Sequence, residues 1–451
     1  MEATNRMHGC TVASNAYIAH ARVLAKSFLA HNPGATLWVL VVDETPGAAT
    51  NHSDEPFEVL TPEQVGIDRD ELHRRATMYT AQALACSLKP VLARALLERV
   101  QGPVLFLDAD SCVYADLTPL TEACGGAKLL LSPHMLDPHP VTGLDSPEQV
   151  ILRVGVFNSG LLGAGAGAAG ALDWWAQRTA RRCIYNESLG LVLDQTWLTL
   201  MPLYFEHRIL RDRGCNVAGW NLHTRDVEWE GDVPHIDGGP LRHFHFAGSF
   251  NPEHPETITP IEHLASWWAK LEQRPGAARL VAQYARDLLD NGYRQVRSAP
   301  PLLDLMPDGT PIADWMRESY RAALIEAEER GATEPPNPFS DGSERFQEWV
   351  AQRAAEAAAA PFNGADEPVG QPALAAALLD GRKLLSRIGE LEQIRDDAIG
   401  WAQSVSSDLE IVRSERDHHA VTIESMDRSL SWRITRPLRS AKAILQRSKL
   451  D

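Results

Sequence analysis

Two carboxylates separated by one residue, Asp108 and Asp110, follow directly on the apolar run Val104-Leu105-Phe106-Leu107. Four consecutive apolar residues predict a buried strand. Alternate residues of a strand leave it on the same side, so both acids can aim at one point beyond its carboxyl end. A hard divalent cation suits that point, because it is commonly held by a few carboxylates while waters and substrate phosphate oxygens complete its shell. Ligands of open α/β sheets gather at this same edge. The competing reading is that the two acids cap a turn or open a helix, and the rest of the chain has to decide between them.

The elements around the pair predict an α/β unit. Cys10 to Ser14 reads as a short strand, Ala19 to Ala30 has helical spacing, Asn32-Pro33-Gly34 breaks it, and Leu37 to Asp43 is a second buried strand. That order is a βαβ opening with a largely parallel sheet. No G-x-G-x-x-G follows the first strand, which argues against dinucleotide binding. A helix from about Tyr79 to Val100 leads into the Asp-x-Asp strand, and Leu129 to Leu131 is another strand. Val154 to Leu162 reads as a strand bent at Gly160, followed by a Gly/Ala-rich loop into a helix carrying Trp174 and Trp175. Asp194-Gln195 opens a further helix, and His243-Phe244-His245-Phe246 alternates as a strand with both histidines on one side.

A chain of 451 residues, 44% hydrophobic and 23% charged, has the composition of a globular protein with more than one folding unit. Its formal net charge of -17 speaks against nucleic acid as a partner, since phosphate binding needs clustered Lys and Arg. The six cysteines show neither C-x-x-C pairs nor framework spacing, which fits reduced thiols in a cytoplasmic protein. There is no signal-type apolar segment at the start and no run of 18 apolar residues.

Five segments are expected: an α/β domain over 1–254, a helical extension over 255–360, a linker over 361–382, a helix over 383–427 and a basic tail over 428–451. In the fourth, Leu384, Ile388, Leu391, Ile394, Ala398, Trp401, Val405, Leu409 and Val412 keep near-heptad steps, the pattern of a coiled coil and hence of a homo-oligomer. An amphipathic helix lying on the chain's own core is the alternative. In the last segment Arg433, Arg436, Arg439, Lys442, Arg447 and Lys449 interleave with Trp432, Ile434, Leu438, Ile444 and Leu445. Such a segment suits peripheral contact with an anionic membrane at the inner face, although Pro437 interrupts it and an acidic partner is the rival.

Five pieces in register resemble the retaining, family-8-type glycosyltransferases of the GT-A fold. They are Lys89-Pro90, Asp108-Ala109-Asp110, Phe157-Asn158-Ser159-Gly160, Leu193-Asp194-Gln195 and His245-Phe246-Ala247-Gly248, spread over about residues 10 to 252. A looser resemblance, through Asn216 to His223 and the helical region, is to bacterial transferases of surface-polysaccharide assembly. The resemblance implies a metal site of Asp108, Asp110 and His245 holding Mn2+ (or Mg2+) on the diphosphate of a nucleotide sugar. An imidazole among oxygens favours manganese. It places Lys89 and Gly248 near the nucleotide sugar, and Ala13, Ser14, Asn15 and Tyr17 against base and ribose. Asn158, Asp194 and Gln195 then surround the donor sugar, with Gln195 beneath the anomeric carbon. Asp194 as a helix N-cap is the rival reading, and His243 has no motif support and is read as structural.

One departure stands out. Where the family carries a lysine that grips the diphosphate, this chain has Asn251, and Arg242 or an arginine of the 208–213 segment is a candidate substitute. The implied reaction is transfer of a hexose, with retention, from a nucleotide diphosphate sugar to a hydroxyl of a glycan or lipid-linked acceptor. Because glutamine is a poor nucleophile, same-face attack is favoured over a covalent intermediate. A sugar nucleotidyltransferase and a non-catalytic, transferase-like scaffold remain as alternatives.

Overall fold

The computed structural model describes residues 6–43, 54–100, 102–125, 128–138, 147–186, 189–248, 250–255, 271–297 and 303–359. The described residues up to Glu356 form one compact unit. The linker, the near-heptad helix and the basic tail expected beyond residue 360 lie outside the described residues.

The first half of the fold runs β1 (His8–Ala13), α1 (Ile18–His31), β2 (Thr36–Val41), β3 (Glu58–Leu60), α2 (Arg69–Met78), α3 (Ala81–Arg99), β4 (Val104–Leu107), β5 (Ser111–Val113), α4 (Thr118–Ala123) and β6 (Leu129–Pro133). It continues through α5 (Pro147–Val154), β7 (Phe157–Ala164), α6 (Ala169–Arg182), β8 (Ile184–Asn186), β9 (Leu191–Leu193), α7 (Met201–Tyr204) and β10 (His207–Ile209). Next come β11 (Val227–Glu230), β12 (Val233–Ile236), β13 (Gly239–Pro240) and β14 (His243–His245). Four helices follow: α8 (Pro275–Asp290), α9 (Tyr293–Arg297), α10 (Asp314–Arg330) and α11 (Ser343–Ala359).

Seven strands form the central sheet in the order β10-β6-β7-β4-β1-β2-β3. The pairs β1/β2, β1/β4, β2/β3 and β6/β10 are parallel, whereas β7 runs antiparallel to both β4 and β6. The architecture is therefore α/β with a mixed, mostly parallel sheet, as the sequence predicts. Period-2 geometry explains the continuous apolar run of β4: Val104 and Phe106 face one core with α3 and α6, and Leu105 and Leu107 face the other with α1 and α4.

Helices of the expected extension complete these cores. Tyr320, Leu324, Phe346 and Val350 join the α3 side, and Leu280, Tyr284 and Leu288 of α8 close over β14 and α1. Arg317, 5% exposed, donates to the backbone of Ala76 and Tyr79 and pairs with Asp304 at 3.0 Å, fastening α10 to the end of α2. No helix of the described residues is long and apolar enough to cross a membrane. All six cysteines are free and buried.

Candidate active site

The two acids leave the sheet where β4 ends. Asp108 N–H donates to Gly160 C=O of β7 at 2.8 Å, and Ser111 N–H closes a turn onto Asp108 C=O at 3.1 Å. The chain then returns as β5, which pairs antiparallel with β14 so that His245 lies opposite Ser111. Phe246 N–H donating to Asp110 C=O at 2.8 Å extends that contact. This short ladder is how an imidazole far along the chain reaches the acids. The ligand atoms of Asp108, Asp110 and His245 all lie within 4.8 Å of one another. His245 Nε2 is 3.1 Å from Asp110 Oδ1 and 3.7 Å from Asp108 Oδ2.

The surrounding groups fix each ligand. His245 Nδ1 is 3.3 Å from Asn158 Oδ1, which also accepts from Gly160 N–H at 3.0 Å. With an amide oxygen facing Nδ1, that nitrogen carries the proton and Nε2 turns toward the carboxylates. Two carboxylates and an imidazole lone pair converging on one point repel one another unless a cation stands between them. In the protein alone a proton on His245 can take that place. Burial pulls the His245 pKa down, but the charge and hydrogen bond of Asp110, then Asp108, leave it above the usual imidazole range. Burial likewise favours the neutral form of Asp110, yet the His245 charge and hydrogen bond hold it at about 2. A divalent ion would meet the same donor set of two carboxylates and one imidazole, so the residues present fit a metal.

Gly160 is required by this packing. A Cβ there would sit 2.3 Å from His245 Cε1 and 2.8 Å from Asp108 Oδ2. The register of β6 against β7 also slips here, from Leu131 opposite Leu162 to Ser132 opposite Asn158, so the bend read at Gly160 is a bulge in the strand.

Lys89 comes from α3 and is 5% exposed. Its Nζ lies 2.7 Å from Asp108 Oδ1, 3.7 Å from Asp194 Oδ2 and 3.2 Å from Ser159 Oγ. Burial alone would lower its pKa, but Asp108 and Asp194 raise it well above the ordinary value. Asp194, 1% exposed, faces this ammonium and does not cap a helix. The turn that follows spans Thr196–Leu200, with Gln195 at its capping position and no side-chain cap. Gln195 is held at both ends: Oε1 accepts from Asn158 Nδ2 at 3.0 Å and Ser159 N–H at 3.4 Å, and Nε2 donates to Val154 C=O at 2.9 Å.

At the end of β1, Ala13 is buried and Ser14 leads into a turn over Asn15–Tyr17. Asn15 N–H donates to Asp43 Oδ1 at 2.7 Å and its Nδ2 to Asp43 C=O at 3.2 Å, so the ends of β1 and β2 are tied together. Tyr17, 40% exposed, stacks on His20 with ring centroids 4.6 Å apart. Burial and then the Asp110 charge raise the Tyr17 pKa, which puts this ring within the field of the metal site. Gly248 adopts φ 112°, a left-handed value open to glycine. Ala109 is buried between the two acids.

His243 is fully buried with no hydrogen-bond partner on either nitrogen, and burial drops its pKa to about 3. Its ring lies 6.4 Å from that of His245. Asn251 makes a turn, accepting from Glu253 N–H and His254 N–H, both at 3.0 Å. Two of the candidates for its missing charge are occupied: Arg242 bonds Asp212 at 2.8 Å and Asp116 C=O at 2.6 Å, and Arg213 pairs with Asp137 and Asp237, while Arg208 and Arg211 are exposed at and just after the edge strand β10. Sequence reading gave no site role to Trp220, met only within the Asn216–His223 run, whose ring meets His245 edge-on at 5.3 Å, nor to His134 beyond it, also at 5.3 Å. Neither belongs to a pattern with a chemical meaning of its own.

No family model matches the chain. The uncharacterized protein YfnD of Bacillus subtilis (strain 168) is 24% identical over 292 residues, which cover 62% of this chain and 88% of YfnD. Among solved structures, the galactosyltransferase LgtC, in complex with donor and acceptor sugar analogues, is 17% identical with a TM-score of 0.38, covering 62% of this chain and 95% of LgtC. The glycosyltransferase GlyE of Streptococcus pneumoniae TIGR4 is 14% identical with a TM-score of 0.36 over 67% of each chain. The bifunctional WbbM is 12% identical with a TM-score of 0.36, over 67% of this chain and 51% of that one. These likenesses are distant, and the functional case is carried by the site itself.

Proposed function

We propose that the chain is a metal-dependent glycosyltransferase of the GT-A type. It moves a hexose from a nucleotide diphosphate sugar to an acceptor hydroxyl with retention of configuration. The observation that carries this reading is the convergence of Asp108, Asp110 and His245 at the carboxyl end of β4. Those three side chains hold Mn2+ (or Mg2+), which when bound supplies positive charge against the departing diphosphate. Burial raises the Asp108 pKa, and Lys89 opposes that rise while fixing the carboxylate. Asn158 sets the His245 tautomer. The turn from Ala13 to Tyr17 and the Gly248 backbone border the nucleotide. Gln195, clamped at both ends, is a positioning group with no carboxylate to offer, so the acceptor attacks from the face the diphosphate leaves.

The acceptor is a glycan or lipid-linked hydroxyl in surface-polysaccharide synthesis, and the basic 428–451 tail holds the enzyme at an anionic membrane. The near-heptad helix over 383–427 pairs two copies. The test is incubation with Mn2+ and a panel of nucleotide sugars, measuring nucleoside diphosphate. Slow release lost in Asp110→Asn is the expected result. Pyrophosphate instead would mark a nucleotidyltransferase, and silence with every donor a scaffold.

A further inference from the structure

The departure at Asn251 leaves the diphosphate without its gripping lysine, and the cations around the site are nearly all committed elsewhere. Lys89 is locked between Asp108 and Asp194. Arg22 is bidentate on Glu55, with Nη2 to Oε1 at 2.6 Å. Lys26 Nζ donates to Asn291 Oδ1 at 2.6 Å, and Arg294 pairs with Glu253 at 2.8 Å. Arg211 follows the edge strand β10, three strands from β4 and hence roughly 14 Å to the side.

Arg297 is different. It ends α9, the short helix that packs against the Asn15–Tyr17 turn. Tyr293, one helical turn earlier and so on the same face, meets His20 edge-on at 5.8 Å. His20 in turn stacks on Tyr17. Both of these rings feel the guanidinium of Arg297 and the carboxylate of Asp110, so both charges lie near the Asn15–Tyr17 turn. Arg297 is exposed, and among the described residues no acid pairs with it.

We infer that Arg297 is the cation that grips the diphosphate of the donor, reaching it past the Asn15–Tyr17 turn. A guanidinium suits this task because its planar fork bonds two phosphate oxygens at once and stays charged at every working pH. The role of the absent lysine has thus moved from the loop after β14 to the end of α9. This inference rests on the reading of the site as a nucleotide-sugar transferase.

The test measures binding with Mn2+ of UDP, GDP, dTDP, ADP and CDP, and of the matching nucleosides, to the full chain and to Arg297→Gln and Arg297→Lys, by calorimetry. The expected result is that Arg297→Gln weakens the nucleoside diphosphate the protein prefers by about tenfold or more. Nucleoside binding and the thermal midpoint stay unchanged, and Arg297→Lys recovers part of the loss. Wild-type affinity in Arg297→Gln, or an equal loss for nucleoside and diphosphate, overturns the role of Arg297 while leaving the transferase reading intact. A wild-type protein that binds none of the five diphosphates overturns that reading, and the inference falls with it.

Discussion

Replacing Gly160 by alanine isolates the metal site from the fold. The new Cβ would stand 2.3 Å from His245 Cε1, 2.7 Å from His245 Nδ1 and 2.8 Å from Asp108 Oδ2. Carbon atoms in contact rest at about 3.5–4.0 Å, so the ring must retreat by more than about 1 Å. The backbone cannot yield instead. Gly160 C=O accepts from Asp108 N–H at 2.8 Å, and its N–H donates to Asn158 Oδ1 at 3.0 Å. Binding constellations tolerate displacements of only about 0.5 Å, so Mn2+ affinity should fall by at least about 10–100-fold, the range for disturbing ligand orientation. The overpacking itself should cost about 1–3 kcal/mol of stability. Gly163→Ala supplies the control. Its Cβ would meet Cys124 Sγ at 2.4 Å and Leu130 Cβ at 3.0 Å, three residues along β7 from Gly160. It should lose comparable stability and keep the metal. Free Mn2+ followed by electron paramagnetic resonance, beside urea unfolding of both variants, gives the two numbers. Wild-type Mn2+ affinity in Gly160→Ala would refute the argument.

Three further outcomes follow from the same contacts. Asn158→Ala frees the His245 tautomer and should weaken Mn2+ by about 10–100-fold in a protein whose circular dichroism is unchanged; unaltered affinity would remove Asn158 from the ligand-orienting role. Lys89→Met leaves the half-buried Asp108 and the buried Asp194 without their shared cation, a change that should cost about 3–5 kcal/mol by urea unfolding, and adding Asp194→Asn should recover part of it. Glu71 is the acid of a helix-to-helix network, bound by Arg181 at 2.7 Å and Arg75 at 2.8 Å. Burial favours its neutral form, but Arg181 and Arg75 outweigh this and hold its pKa below the ordinary 4.5. A depressed carboxylate pKa adds stability above the unfolded value and loses it as pH falls through the folded one. The urea midpoint should therefore drop below about pH 4.5 in wild type, and less so in Glu71→Gln; identical pH profiles would contradict the assignment.

The sheet was readable where pattern and period agree. The run Val104 to Leu107 is apolar at every position because both faces of β4 are covered, and the Asp-x-Asp that follows could be placed at the strand's end without coordinates. His245 was reachable only through its motif, since nothing local ties it to residues 135 positions earlier; the β5/β14 ladder that does so is three residues long. The strands β11 to β13 escaped notice because they are only two to four residues long and half exposed, so that even the alternation Val227-Glu228-Trp229-Glu230 is too short to mark a strand. Partners were least legible of all. That Asn158 holds an imidazole and Gln195, or that Asp43 holds Asn15, depends on side chains meeting across strands, which residue types alone do not specify. Arg297 belongs to no motif, and only the packing of α9 against the Asn15–Tyr17 turn brings it into view.

The most direct test of the central claim is anomalous diffraction at the manganese edge from crystals grown with Mn2+ and a nucleoside diphosphate. The account predicts a single peak enclosed by Asp108, Asp110 and His245, with diphosphate oxygens on its open side. A manganese ion bound elsewhere, or these three side chains turned away from one another around the nucleotide, would contradict it.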